Sequence, residues 1–410
     1  MNVQQISPRA RTRGLLRSHW AWLPIFVAGS LCAFCSGDEG LIERPENPAA
    51  TIPFELEVMP IPEGFLHAFP ASGNPFNQSN HAYINLSTGV GYARPAVWVP
   101  GLGGGITFID ELLSPEDLAQ WSGNWSMGGI NDLDEIVGST IYSPTGYSRG
   151  FRFSFPGPSD VYAQIVPLDY VDPLHDTRAQ FRQINNLGEC LGATAPPGTD
   201  SDFVGAYWSA TAGTLALPKG SYSQVWPRQI TDSGLIVGYS TGSSAAVYWP
   251  NRTNTPMAIP YFAPGVNNLP DGIARGANDN GYIVGNSSNG VSGKGANAKT
   301  KVRAFRFRIS PPQLTNLGDL GNANYSAATS INNQGEIIGS YGVTTKSKSI
   351  RYQGFYYQDD FGMIDLQSAV VNLPAGATIE PIGINNAGNI LVRVGLNNGT
   401  NTVGVLRPTN

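Results

Sequence analysis

Few side chains in this 410-residue sequence stand in patterns that could do chemistry. Asn131, Asp132, Asp134 and Glu135 gather oxygen atoms in one short segment, the donor type calcium takes. The same segment recurs elsewhere without its acids, as in Asn385-Asn-Ala-Gly388. Turn formation therefore accounts for every copy and calcium for one, so no metal is expected. Asp169, Asp172, His175 and Asp176 form the densest acid and histidine group. The chain has four His, at 19, 67, 81 and 175, and they assemble neither a His-rich metal site nor a catalytic triad. That group reads as polar loop and turn. Gly290-Val-Ser-Gly-Lys-Gly295 contains Gly-Lys but lacks phosphate-loop spacing; residues 286–303 read as a flexible, solvated loop. Cys190 stands where other copies of the segment carry Ile, which makes it a small buried hydrophobe. No catalytic residue and no cofactor is expected.

Aromatic rings beside polar residues are the remaining candidates. Trp121, Trp125, Tyr170, Tyr222, Trp226 and Tyr261 fall between the repeated segments, where rings could stack on sugars or peptides. The competing reading is that each ring packs between neighbouring structural units, since Trp is on average largely buried.

The element that must position them is a repeat, clearest at residues 330–340 (SINNQGEIIGS). Taking one Asn, or Thr in one copy, as anchor gives Asn85, Asn131, Asn185, Thr231, Asn278, Asn332 and Asn385. The steps are 46, 54, 46, 47, 54 and 53 residues, a period that fits propeller blades. Each copy divides into four short strands. Strand a leads into the anchor and is rich in small residues. Asn-Asx-x-Gly turns the chain, because Asn and Asp bond their own backbone and Gly accepts positive φ. Strand b is the Ile-Val-Gly piece, strand c opens with spaced aromatics such as Gly150-Phe-Arg-Phe153, and strand d follows a second turn. The last copy ends after strand c, while Phe54-Glu-Leu-Glu-Val58 is spare at the other end. The expected fold is all-β: a seven-bladed β-propeller of four-stranded blades, its ring closed by the N-terminal strand.

Residues 1–35 read as a signal peptide or N-terminal anchor: four Arg, then an uncharged apolar run at residues 20–35. Residues 36–52 read as an acidic, Pro-containing linker, and residues 53–408 as the propeller. The formal net charge is −5, without a long basic run, so nucleic acid is not an expected partner. Loss of the leader would leave one cysteine, so disulfides are not expected to hold the fold.

The repeat resembles that of the HAF family of extracellular repeat proteins: Ile-Asn-Asp-x-Gly-x-Ile-Val-Gly-x-Ser, then His-Ala-Phe-x-Trp, kept here without the His as Ala304-Phe-Arg-Phe307 and Gly150-Phe-Arg-Phe153, then Asp-Leu-Gly, kept in part as Ile364-Asp-Leu366 and Asn316-Leu-Gly318. The likeness covers roughly residues 53–408. It implies a secreted repeat protein and carries over no catalytic residues. The expected function is a non-enzymatic, monomeric binding module for polysaccharide or protein at the cell surface, acting through the long-loop face of the ring. A glycoside hydrolase or lyase is the first alternative, disfavoured by the scarcity of acids in the inner strands. A structural surface-layer component is the second.

Overall fold

The computed structural model describes residues 52–89, 93–101, 104–196, 202–242, 244–268, 271–295 and 298–409. The expected leader, and all of the expected linker but its last residue, lie outside the described residues. Among those described, no helix is long and apolar enough to cross a membrane.

Alternation of small or β-branched residues with turn residues gives short antiparallel meanders throughout. Five sheets have four strands each, and a sixth has eight. The larger sheet is two meanders, residues 121–168 and 178–216, joined by one parallel bridge between Ser148 and Arg178. The first strands of the meanders are His67–Pro70, Trp121–Ile130, Arg178–Ile184, Val225–Ile230, Gly272–Ala277, Ser326–Ile331 and Thr378–Ile384. From Trp121–Ile130 onward each lies against the next, so these strands form the inner wall. The last sheet packs against the first: Leu391, Val403 and Val405 share one core cluster with Ala68, Ile84 and Ala96. A closed circuit of such meanders is a β-propeller.

The spare N-terminal strand behaves as its pattern predicts. Phe54–Val58 pairs antiparallel with Asn401–Pro408, Phe54 opposite Pro408 and Val58 opposite Gly404. Its outer edge is capped by one side chain. Asn372 Oδ1 accepts from Leu56 N at 2.7 Å, and its Nδ2 donates to Leu56 O at 2.9 Å. An edge strand covered in this way presents fewer free backbone groups to other chains.

The repeated segment does more than turn the chain. Each anchor side chain except Thr231 is an amide, with one acceptor and two N–H donors. In Asn131 the acceptor takes the backbone N–H groups of Leu133 and Glu135 at 3.0 and 2.9 Å, which shapes the turn. The donor reaches the neighbouring meander, Asn185 O, at 3.0 Å. The bond repeats from Asn77 to Asn131 O, Asn185 to Thr231 O, Asn278 to Asn332 O and Asn332 to Asn385 O, at 2.9–3.0 Å. It closes from Asn385 to Asn77 O at 3.4 Å. Thr231 has no amide donor; there Gln229 bridges instead, its Nε2 donating to Ala277 O and its Oε1 accepting from Ala277 N.

A second ladder runs beside the first. The N–H after each anchor donates to a side-chain oxygen of the next turn: Gln78 to Asp132, Asp132 to Asn186, Asn186 to Asp232, Asp279 to Asn333, Asn333 to Asn386 and Asn386 back to Gln78. Between Asp232 and Asp279 the donor is Ser233 N. The turns together form a hydrogen-bonded belt around one end of the ring.

The belt corrects the first anchor. The sequence places it at Asn85, but Asn77 holds the position. Asn77 N bonds His81 O, as Asn131 N bonds Glu135 O, and Asn77 makes the cross-link to Asn131. Asn85 lies inside the strand Ala82–Ser87. Asn80 takes the positive φ, 66°, that Gly188, Gly234, Gly281, Gly335 and Gly388 take elsewhere. No glycine marks this turn, as none marks the next one, where Asp134 takes φ 59°; what hides the copy is that Phe76-Asn77 and His81-Ala-Tyr83 replace the Ile-Asn and Ile-Val-Gly flanks. A second correction concerns residues 286–303. Much of this segment is a long hairpin, Tyr282–Ser292 paired with Lys299–Arg308. Its polar composition hides a ladder made by backbone groups alone.

Candidate functional site

Most acids at both ends of the ring are engaged with neighbouring polar groups. At the belt end Asp132 accepts from Gln78 N and from Asn186 Nδ2, Asp134 from Asn77 Nδ2 and His81 Nδ1, and Glu135 from Asn131 and Arg152. The oxygens that suggested calcium are thus aimed at neighbouring N–H groups, and among the described residues no cluster of acids, His and Cys could hold a metal. Asp176 accepts from Asp172 N and Thr194 Oγ1, Asp172 meets His175, and Asp169 meets Arg149. Cys190 is fully buried, and burial pushes its thiol pKa far up.

The predicted ring residues divide by burial. Trp121 and Trp125 are 2% and 5% exposed, in a core cluster with Phe151 and Phe153. They lie on the inner strand Trp121–Ile130, the crossing before it being taken up by the short helix Pro115–Gln120. Tyr170 is half-buried and its hydroxyl donates to Ser148 O at 3.1 Å. Tyr222 is half-buried against a core cluster. Tyr261 is 44% exposed on a crossing. Trp226 is half-buried on Val225–Ile230, 5.2 Å from the Phe203 ring. The structure does not gather these six into one patch.

It gathers a different set. Opposite strand b, each of the strands from Arg178–Ile184 to Thr378–Ile384 carries a bulge three residues before its anchor. The extra residue has no partner in the ladder and is free to turn its side chain away from it. In three consecutive meanders that residue is an arginine: Arg182, Arg228 and Arg275. The bulge also explains a recurrent glycine of strand b. A Cβ on Gly192, Gly238, Gly285 or Gly339 would sit 2.0–2.2 Å from a strand a carbonyl.

The three arginines stand on adjacent strands of the inner wall, Arg228 on the middle one. Burial is the main cause that lowers the Arg182 and Arg275 pKa values, and the Arg228 charge lowers both further. Tyr239 acts on both as well, and the Arg228 guanidinium lies 5.3 Å from its ring centroid. Arg182 donates to Gln180 Oε1 at 3.0 Å, and Arg275 to Asn286 Oδ1 at 3.1 Å. Arg94, Arg149, Arg152, Arg303, Arg306, Arg393 and Arg407 each meet a carboxylate. Among the described residues Arg182, Arg228 and Arg275 do not, nor do Arg252, which donates to Tyr207 Oη, and Arg308, which donates to Pro311 O; only the first three share one position of the repeat. Arg228 Nε and Trp226 Nε1, on one strand, are buried donors without a hydrogen-bond partner there. Arg149, Arg152 and Arg393 share an unpaired buried Nε, but each meets a carboxylate through another guanidinium nitrogen and Arg228 does not; unpaired buried donors call for a physical cause.

This cluster was missed in the sequence, although a signal existed. Aligned on the anchor, Arg182-Gln-Ile-Asn, Arg228-Gln-Ile-Thr and Arg275-Gly-Ala-Asn place an arginine at one position in consecutive copies.

No family model matches the chain, and no curated protein matches it. Solved structures are similar at low levels. A gluconolactonase from Xanthomonas campestris is 12% identical, covers 89% of this chain and 99% of its own, and gives a TM-score of 0.33. An α-L-arabinofuranosidase from Podospora anserina is 12% identical over 73% of this chain and 95% of its own, with a TM-score of 0.25. AofleA from Arthrobotrys oligospora is 7% identical over 83% and 86%, with a TM-score of 0.27. Likenesses at this level carry no functional argument; the fold rests on the sheet topology described above.

Proposed function

We propose that this chain is a seven-bladed propeller, the eight-stranded sheet counting as two blades, that acts as a non-enzymatic binding module of the cell envelope or exterior. It takes a polysaccharide or protein at the end of the ring opposite the belt. The observation that supports this reading is the pair of unpartnered donors, Arg228 Nε and Trp226 Nε1, on one inner strand. A ligand entering from the loop end would meet Trp226, with Tyr222 and Tyr261 on the crossings beside it. Trp121 and Trp125 would serve packing. The likeness of the repeat to the HAF family is part of this proposal and agrees with export.

The test is a glycan-array and protein-capture screen of the chain, with Trp226→Ala and Tyr261→Ala as comparison. Binding weakened by both substitutions supports the site. Binding left intact in the double variant removes it, and hydrolysis or elimination of a bound glycan would favour a propeller enzyme instead.

A further inference from the structure

We propose that Arg182, Arg228 and Arg275 form an anion site in the ring that takes the carboxylates of an acidic oligosaccharide, a uronate-containing chain. The inference deepens the binding reading given above and rests on it.

The argument begins with charge. Three arginines at equivalent bulges are held on rigid strands, half-buried and without a carboxylate among the described residues. Like charges brought together out of water destabilise a fold unless a counter-charge joins them. The protein as a whole is acidic, with a formal net charge of −5, so acids were there to be placed beside these arginines. Instead the arginines that meet acids are others, such as Arg393, which bonds Glu380 at 2.9 Å. Unpaired positive charge concentrated in this way is a candidate functional site.

Guanidinium geometry selects the anion. Its planar fork bonds a carboxylate through two parallel N–H groups. One N–H of Arg182 and one of Arg275 are held by Gln180 and Asn286, which orients each fork and leaves other donors free. The neighbouring rings favour a sugar over a peptide. Trp226 and Tyr239 are paired across the ladder, Phe203 lies against Trp226, and Tyr325, which interacts with Arg275, makes an edge contact with Tyr352 at 5.0 Å. Flat apolar faces next to cations suit the C–H face and the carboxylate of one uronate ring.

The test uses the full chain and three probes in titration calorimetry: trigalacturonate, the neutral sugar maltotriose, and a tri-aspartate peptide. Trigalacturonate should bind, and raising salt from about 0.05 to 0.5 M should weaken it at least tenfold. Arg228→Gln should weaken it at least tenfold again, as should Arg182→Gln with Arg275→Gln, whereas Arg407→Gln should not. Because Arg228→Gln relieves like-charge repulsion, its melting temperature should equal or exceed that of the wild type, which separates lost binding from lost folding. Maltotriose bound as tightly as trigalacturonate, with no effect of Arg228→Gln, would overturn the anion site and leave the binding module standing. Tri-aspartate bound in place of trigalacturonate, with the same arginine dependence, would overturn the sugar assignment. No binding of any probe would overturn the inference, while ligands found on the array would keep the broader reading alive.

Discussion

Asn185 shows why the anchor is asparagine. Its oxygen accepts from Leu187 N and Glu189 N, and its nitrogen donates to Thr231 O and to Glu189 Oε2. Aspartate keeps the acceptor and loses both donations, and it sets a buried charge against a carbonyl and a carboxylate. Asn185→Asp should therefore cost about 2–3 kcal/mol, measured by urea unfolding, and Asn185→Thr less. Thr231 already holds this place, with its hydroxyl accepting from Leu235 N. A second residue-scale effect is pH. The hydrogen bond to Asp134 Oδ1, 2.6 Å from Nδ1, raises the His81 pKa above its ordinary 6.5, against an opposing effect of burial. A raised folded value means that the contact stabilises most below the unfolded pKa and fades as pH rises through the folded one. Melting temperature should fall as pH rises from about 6 toward 8, and His81→Gln should flatten that part of the curve.

At the scale of the element, strand b is constrained by the bulge opposite it. A Cβ at Gly285 would lie 2.0 Å from Ile273 O, a backbone atom with no room to yield. Gly285→Ala should cost about 3 kcal/mol or more by denaturant unfolding; the same change at exposed Gly146, with open space around it, should cost less, from its positive φ alone. The strand Phe54–Val58 tests pairing in the same way. Truncating it exposes the edge of Asn401–Pro408, so the shortened chain should melt lower and aggregate, as light scattering would report. Asn372→Ala should produce a milder form of the same defect, about 1 kcal/mol. Strand existence was largely legible in the sequence, since β-branched runs and turn residues alternate. The outer part of the hairpin, residues 286–292 with 299–303, was not, because Asn, Ser and Gly carry no apolar pattern and the ladder there is backbone on backbone.

At the scale of the whole molecule, the belt makes the last turn depend on the first. The closing bond from Asn385 to Asn77 O is long, and it is supported by Asn386 N on Gln78 Oε1 at 2.7 Å and Asn385 Nδ2 on Asn80 Oδ1 at 2.9 Å. Asn385→Ala should lower stability by about 2 kcal/mol. It should also speed amide exchange in Phe54–Val58 more than in Cys190–Ala195 on the far side of the ring, because opening at the seam needs no rupture of the chain.

Repeat period, strand pattern, the all-β class and the role of the N-terminal strand follow from local residue order, because turn chemistry and strand alternation act over a few positions. What tertiary structure alone decided is which groups meet across sheets. It moved the first anchor to Asn77, turned the Asx positions into bonds between neighbours, and sent Trp121 and Trp125 into the core. It also brought Arg182, Arg228 and Arg275 together from copies 46 and 47 residues apart. Local sequence carries the bulge that releases each arginine, but only the packing of neighbouring sheets sets three separate bulges on adjacent strands.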